Sequence, residues 1–317
     1  MIRLLSIVSF AALAIAAPVT AQETEKPEFP SPNAIVDAAP ASAWVKIAPS
    51  DLLIMDLAPD AEGNPRRVVI QLMPAPFSQG WIRNIRKLAT AHWWDGTSIN
   101  RVQDNYVVQW GDASEKKALP EGLESVPEQQ YETIMQPVAL IRVPDADVKD
   151  REHQRGDGYA AWVRHKKGWP IASGRFSQWP IHCYGAVGVG RNYSPDTGSG
   201  AELYTVIGHA PRHLDRNIAV VGRIIEGMEY LSSLPRGKGQ LGFYEDASKR
   251  VPISSIRLAN DLPTADQPRF EYLNTEGESF AQYADARANR RDPFFIKPAG
   301  GADICNIPVP VRRVSGK

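Results

Sequence analysis

The chain has 317 residues, 43% of them hydrophobic, which is enough to bury a real core and excludes wholesale disorder. Lys plus Arg number 36, as do Asp plus Glu, so the formal net charge is zero. That balance argues against nucleic acid as the main partner, because phosphate binding needs a basic surplus or a strong basic patch. The densest basic spots, Arg86-Lys87, Arg164 to Lys167 and Arg290-Arg291, read as solvated faces.

The first stretch is MIRLLSIVSFAALAIAAPVTAQ. Arg3 gives a short positive region, Leu4 to Ala17 an apolar run too short for a comfortable membrane span, and Val19-Thr20-Ala21 a small-residue cleavage site. This predicts a secretory signal peptide over 1–21. No later segment approaches the length of a span, so the mature chain is expected to be soluble, periplasmic or secreted, with no membrane partner. Export places the two cysteines, Cys183 and Cys305, in an oxidising compartment, where a disulfide is the default and two separate thiols the alternative.

Residues 22–42, rich in Pro, Ala and charge without sustained period, read as a linker. Leu52 to Leu57 and Arg67 to Leu72 are apolar or β-branched runs on either side of the turn chemistry DAEGNP, which predicts a hairpin. Ser78 is the expected N-cap of a helix on which Trp81, Ile85 and Leu88 recur at helical spacing. After the Asp95-Gly96 turn comes more strand, through INRVQDNYVVQWGD. Residues 113–180 are polar, rich in Pro and Gly, and only patchily periodic, with Val138 to Val143 the best strand; they read as an enlarged surface loop region. Tyr204 to Ile207, Ile218 to Ile225 and Ile253 to Leu258 are further strands, and Met228 to Leu234 a short helix. Many short strands with two helices imply a mainly β chain closed into a barrel over 43–262. Residues 263–317 read as an irregular C-terminal extension.

Several chemistries find no support. His209 and His213 have a helical metal-ligand spacing, but Pro211 lies between them and no third ligand is evident. Gly185, Gly188 and Gly190 are followed by NYSPDTGSG rather than a helix, which rules against a phosphate loop. There is no G-x-S-x-G nucleophile elbow. Neither a metal nor a cofactor is expected.

The segment WWDGTSINRVQDNYVVQWGD resembles the cyclophilin pattern Y-x-D/N-G-x-x-F-H-R-V-x-x-x-F-x-x-Q-G-G-D. Downstream, GAVGVGRN is similar to G-x-V/L-S-M-A-R/N, and SGAELYTVIGHAPRHLDRNIAVVGRIIEGMEYL to N-G-S-Q-F-F-I…L-D-G…V-F-G-x-V-x-x-G-M-x-V. The blocks come in family order over roughly residues 50–260. The resemblance implies an eight-stranded antiparallel barrel capped by two helices and peptidyl-prolyl cis-trans isomerase activity on exported proteins. The partners would be proline-containing polypeptides, and nothing demands more than a monomer. It assigns Arg101 as the catalytic donor, Tyr106 and Val107 as proline-ring contacts and Gln109 as the polar group beside the arginine. Tyr204 and Leu214 would be further walls of the same groove.

The departures from the family pattern are specific. Asn100 stands for histidine, Ile99 and Leu203 for phenylalanines, His213 for tryptophan, and Asn217 or Ile218 near a ring-contacting histidine. Glu202 stands for glutamine, where a carboxylate is expected to pair with Arg101 and compete with substrate. An intact Arg101 favours an enzyme; Glu202, the lost histidine and the large insertion favour the alternative, a non-catalytic module binding proline-containing segments as a chaperone or scaffold.

Overall fold

The computed structural model describes residues 29–135 and 156–314. The expected signal peptide and the strand expected over Val138 to Val143 lie outside them. In chain order the elements begin with α1 (Pro32–Ala38), β1 (Trp44–Lys46), β2 (Leu52–Leu57), β3 (Arg66–Leu72), α2 (Gln79–Thr90), β4 (Ser98–Val102) and β5 (Val107–Gly111). There follow β6 (Thr133–Ile134), β7 (Trp162–Lys166), β8 (Trp169–Ser173), β9 (Ser177–Pro180), β10 (Ala186–Val189), β11 (Leu203–Val206) and β12 (Val220–Glu226). The last are α3 (Glu229–Ser232), β13 (Val251–Leu258), β14 (Phe270–Leu273), α4 (Glu278–Ala288) and β15 (Val311–Arg313).

Eight strands close into an antiparallel barrel in the order β10-β11-β5-β4-β13-β2-β3-β12, as expected. Strand β2 shows why its sequence is apolar everywhere but at Asp56 rather than alternating. Leu53, Met55 and Leu57 face the barrel interior, with Val68, Ile70 and Leu72 of β3. Leu52, Ile54 and Val69 point the other way, into a second cluster with Ile47, Ala259 and Phe270. A strand buried on both faces has no polar face to display. Helix α2 covers the barrel through Trp81, Ile82, Ile85, Leu88 and Ala89. Its first turn differs from expectation: Ser78 has φ 54° and makes no cap bond, because its hydroxyl donates instead to the buried Val220 carbonyl at 2.7 Å.

Three other expectations are corrected. The stretch read as a linker holds α1, capped by the Ser31 side chain, and α1 packs on α4 in a cluster built on Trp44, Leu273, Phe280 and Tyr283. The extension is not irregular: β14 pairs with β1 and β15 in a three-stranded sheet, and Phe270 supplies the apolar cover that β2 and β3 require. The loop region 113–180 contains a second sheet, ordered β6-β9-β8-β7. The helices are therefore four among the described residues rather than two.

Cys183 and Cys305 form a disulfide, joining the loop before β10 to the extension, with Cα atoms 5.2 Å apart. Beside it, Ile304 packs on Ala172, Trp179 and Ile181. The same junction is held by His165, whose Nε2 lies 2.9 Å from the Ile307 carbonyl and whose ring sits edge-on to Phe280. Burial pushes the His165 pKa down to about 4; the Ile307 carbonyl opposes this and the Arg223 charge adds to it. The folded value lies below the ordinary 6.5, so the unfolded chain binds the proton first as pH falls. Stability from this group is complete above about 6.5, declines below it and is gone below about 4, a total of roughly 3 kcal/mol. Urea unfolding at pH 7, 5.5 and 4.5 should show this decline, and His165→Gln should flatten it; an equally steep decline in the variant would discount the histidine.

Candidate active site

The β4–β5 hairpin carries the central arginine. The register shifts between Ile99 and Arg101, so Asn100 is an extra residue and Arg101 falls opposite Gln109. Such a bulge re-aims the side chain after it. Arg101 is half-buried and extends its guanidinium into a cleft of about 770 Å³. Its Nε donates to the Leu241 carbonyl at 2.7 Å, Nη1 to Gln109 Oε1 at 3.1 Å, and Nη2 to Gln103 Oε1. Every one of these acceptors is neutral. The Phe243 and Tyr106 rings lie 5.5 and 5.8 Å from the guanidinium carbon, within cation–π range. Burial lowers the Arg101 pKa, and the neighbouring Tyr106 and Tyr204 phenols oppose the shift. The side chain is fixed but not neutralised.

Tyr106, Val107, Gln109, Glu202, Tyr204 and Leu214 line the same cleft. Gln109 and Tyr204 are cross-strand neighbours on β5 and β11, which is why residues so far apart in sequence share one wall. Leu214 comes from the short 3₁₀ turn Arg212–Leu214. His213 is exposed and stacks on Tyr106 with ring centroids 6.2 Å apart, backing the wall instead of lining it. Among the lining residues that escaped sequence reading, Leu241 and Phe243 sit on a loop after α3 whose turn uses a left-handed Leu241 (φ 56°). The loop has no apolar period to mark it, and it meets the arginine through the Leu241 carbonyl, the Phe243 ring and a backbone bridge from Phe243.

Glu202 corrects an expectation. It does not pair with Arg101, because Gln109 stands between them. The carboxylate accepts from the Asp112 backbone N at 2.7 Å. Burial raises the Glu202 pKa; that amide and the Gln109 and Asn100 side chains oppose the shift, and the nearby Asp112 charge adds to it. The Gln109 side chain lies between Glu202 and Arg101, with its oxygen accepting from Arg101. Glu202→Gln keeps an acceptor for the Asp112 amide, and kcat/KM is expected to stay within about threefold of wild type, the size of one exchanged neutral hydrogen bond. A tenfold rise in a peptide assay would mean that the carboxylate does restrain the arginine.

The closed barrel thus carries a cleft in which a fixed guanidinium, with no ion pair among the described residues, lies beside aromatic and aliphatic side chains. Residues 63–258 match the family model described as cyclophilin type peptidyl-prolyl cis-trans isomerase/CLD, and the chain belongs to that family. Among solved structures, cyclophilin AquaCyp293 from Hirschia baltica is similar in fold, with a TM-score of 0.64 at 20% identity, covering 86% of this chain and 94% of that one. A cyclophilin type peptidyl-prolyl cis-trans isomerase from Cryptosporidium parvum, crystallised in the presence of the dipeptide Ala-Pro, aligns over 65% of this chain and 98% of its own at 12% identity. Its TM-score is 0.36. A search of curated proteins finds no match.

Proposed function

We propose that the cleft isomerises X–Pro bonds of exported polypeptides and so assists their folding, with Arg101 as the donor. Amide resonance sets a rotation barrier of ~18–20 kcal/mol. A donor to the prolyl nitrogen localises its lone pair and weakens that resonance, so the twisted bond is bound more tightly than either planar form. No nucleophile, metal or cofactor is needed. Tyr106, Val107, Tyr204 and Leu214 hold the ring while the preceding residue turns.

The observation that carries the reading is the arginine's set of partners: three neutral oxygens fix it, and no carboxylate among the described residues pairs with it. Arginine suits the task because it stays charged and its donor fork is rigid. Export rests on the N-terminal sequence and is compatible with the Cys183–Cys305 disulfide. Protease-free exchange measurements on an X–Pro peptide test the reading: wild type accelerates isomerisation and Arg101→Ala returns it toward the uncatalysed rate. Equal activity in the two proteins would overturn the catalytic role.

A further inference from the structure

Behind the groove runs a chain of buried polar side chains that the isomerisation does not itself use. The ring of Tyr204 lines the cleft, but its hydroxyl points inward and lies 2.9 Å from Nε2 of His182, which is wholly buried. His182 Nδ1 lies 2.9 Å from Asp215 Oδ1, an oxygen that also accepts from the His182 backbone N at 3.0 Å. The other Asp215 oxygen accepts from Arg212 Nε at 2.6 Å, and Arg212 Nη1 reaches Asp157. An ionised carboxylate only accepts, so a neutral His182 carries its proton on Nδ1; Nε2 is then the acceptor and the Tyr204 hydroxyl donates. The two ring planes are nearly parallel, at 7°. Glycine at 188 is what admits the hydroxyl: a Cβ there would lie 2.3 Å from it.

A buried imidazole and phenol are costly unless fully partnered, and hydrocarbon would fill the same volume with less desolvation. The distinctive result of the arrangement is a fixed ring orientation. We propose that His182, backed by Asp215, is a positioning residue of the isomerase: it pins the Tyr204 hydroxyl so that the ring stands as a rigid wall of the proline pocket beside Arg101. His182 directly precedes the disulfide-bonded Cys183, and Asp157 lies in the enlarged region ahead of β7. The enlarged region and the disulfide together thus form the back-plate of the pocket. This inference rests on the isomerase reading of the cleft.

A double-mutant cycle tests it with wild type, His182→Gln, Tyr204→Phe and the double variant. Both kcat/KM and the affinity for an X–Pro peptide are measured, the latter by NMR titration. Each single change is expected to weaken both roughly tenfold, with kcat nearly unchanged, and the double variant to be no worse than either single, as for two residues acting through one contact. A loss from His182→Gln that is equally large in the Tyr204→Phe background would reduce the histidine to a structural role and overturn the proposal. Tyr204→Phe removes a single oxygen and keeps the ring. Should His182→Gln fail to fold, wild-type affinity in Tyr204→Phe alone would overturn the proposal, and a tenfold loss would support it. If wild type shows no catalysis, the isomerase reading falls, and the cycle in peptide affinity still decides whether His182 positions the pocket.

Discussion

Arg101→Lys should lower kcat/KM for an X–Pro peptide by about 100-fold while leaving the melting temperature nearly unchanged. Loss of one preorganised donor to a developing charge costs on the order of 10²–10³ in rate. Lysine keeps the positive charge but not the fork. The guanidinium meets Leu241, Gln109 and Gln103 from three different nitrogens, and it still has N–H groups for the substrate. A single ammonium cannot reproduce that geometry. The fold is expected to tolerate the change because Arg101 is only half-buried and makes no ion pair among the described residues. Exchange NMR with a thermal melt checks both halves; activity within threefold of wild type would show that charge alone suffices.

The second large effect concerns the Cys183–Cys305 bond, whose cysteines are 122 residues apart in sequence. A loop of that length corresponds to about 5 kcal/mol of unfolded-state entropy in the chain-entropy model. The double variant Cys183→Ser/Cys305→Ser should therefore lose several kcal/mol in urea unfolding, and reductant should have the same effect on wild type and none on the variant. The extension has packing of its own, through Ile304 on Trp179 and through the α1–α4 cluster. A loss below about 1 kcal/mol would show that this packing holds the tail without the covalent tie.

What the sequence made legible follows from where each element finds its partner. The barrel strands were readable because runs such as Leu52 to Leu57 and Val68 to Ile70 are apolar through local need, and the block around Arg101 is contiguous. The three-stranded sheet was not readable: β1 and β14 are short, and they pair Trp44 with Leu273 across most of the chain. Helix α4 buries only Phe280, Tyr283 and Ala288, too sparse a stripe to register. The apolar run Leu52 to Met55 of β2 did require a cover on its outer face, and that was the available sign that the extension is ordered. At the site, Arg101, Gln109 and Tyr204 could be found by pattern. The His182–Asp215 bond could not, because its partners are 33 residues apart and meet only when the barrel closes. The expected Arg101–Glu202 pair failed because two residues facing one cleft need not touch, and a glutamine occupies the space between them.

Barrel closure also bears on a hazard peculiar to proteins that handle unfolded chains. An extended client can add itself as a strand to any open sheet edge, and such pairing would trap the client instead of releasing it. The eight barrel strands are each paired on both sides and offer no such edge. The outer strands of the smaller sheet, β1 and β15, are three residues each and carry Lys46, Arg312 and Arg313, and β7, an outer strand of the second sheet among the described residues, carries Arg164 and Lys166. Short, cationic edges discourage strand addition. Under the proposed function, a proline-containing segment in the cleft would meet side chains and a single peptide bond, an encounter that can end.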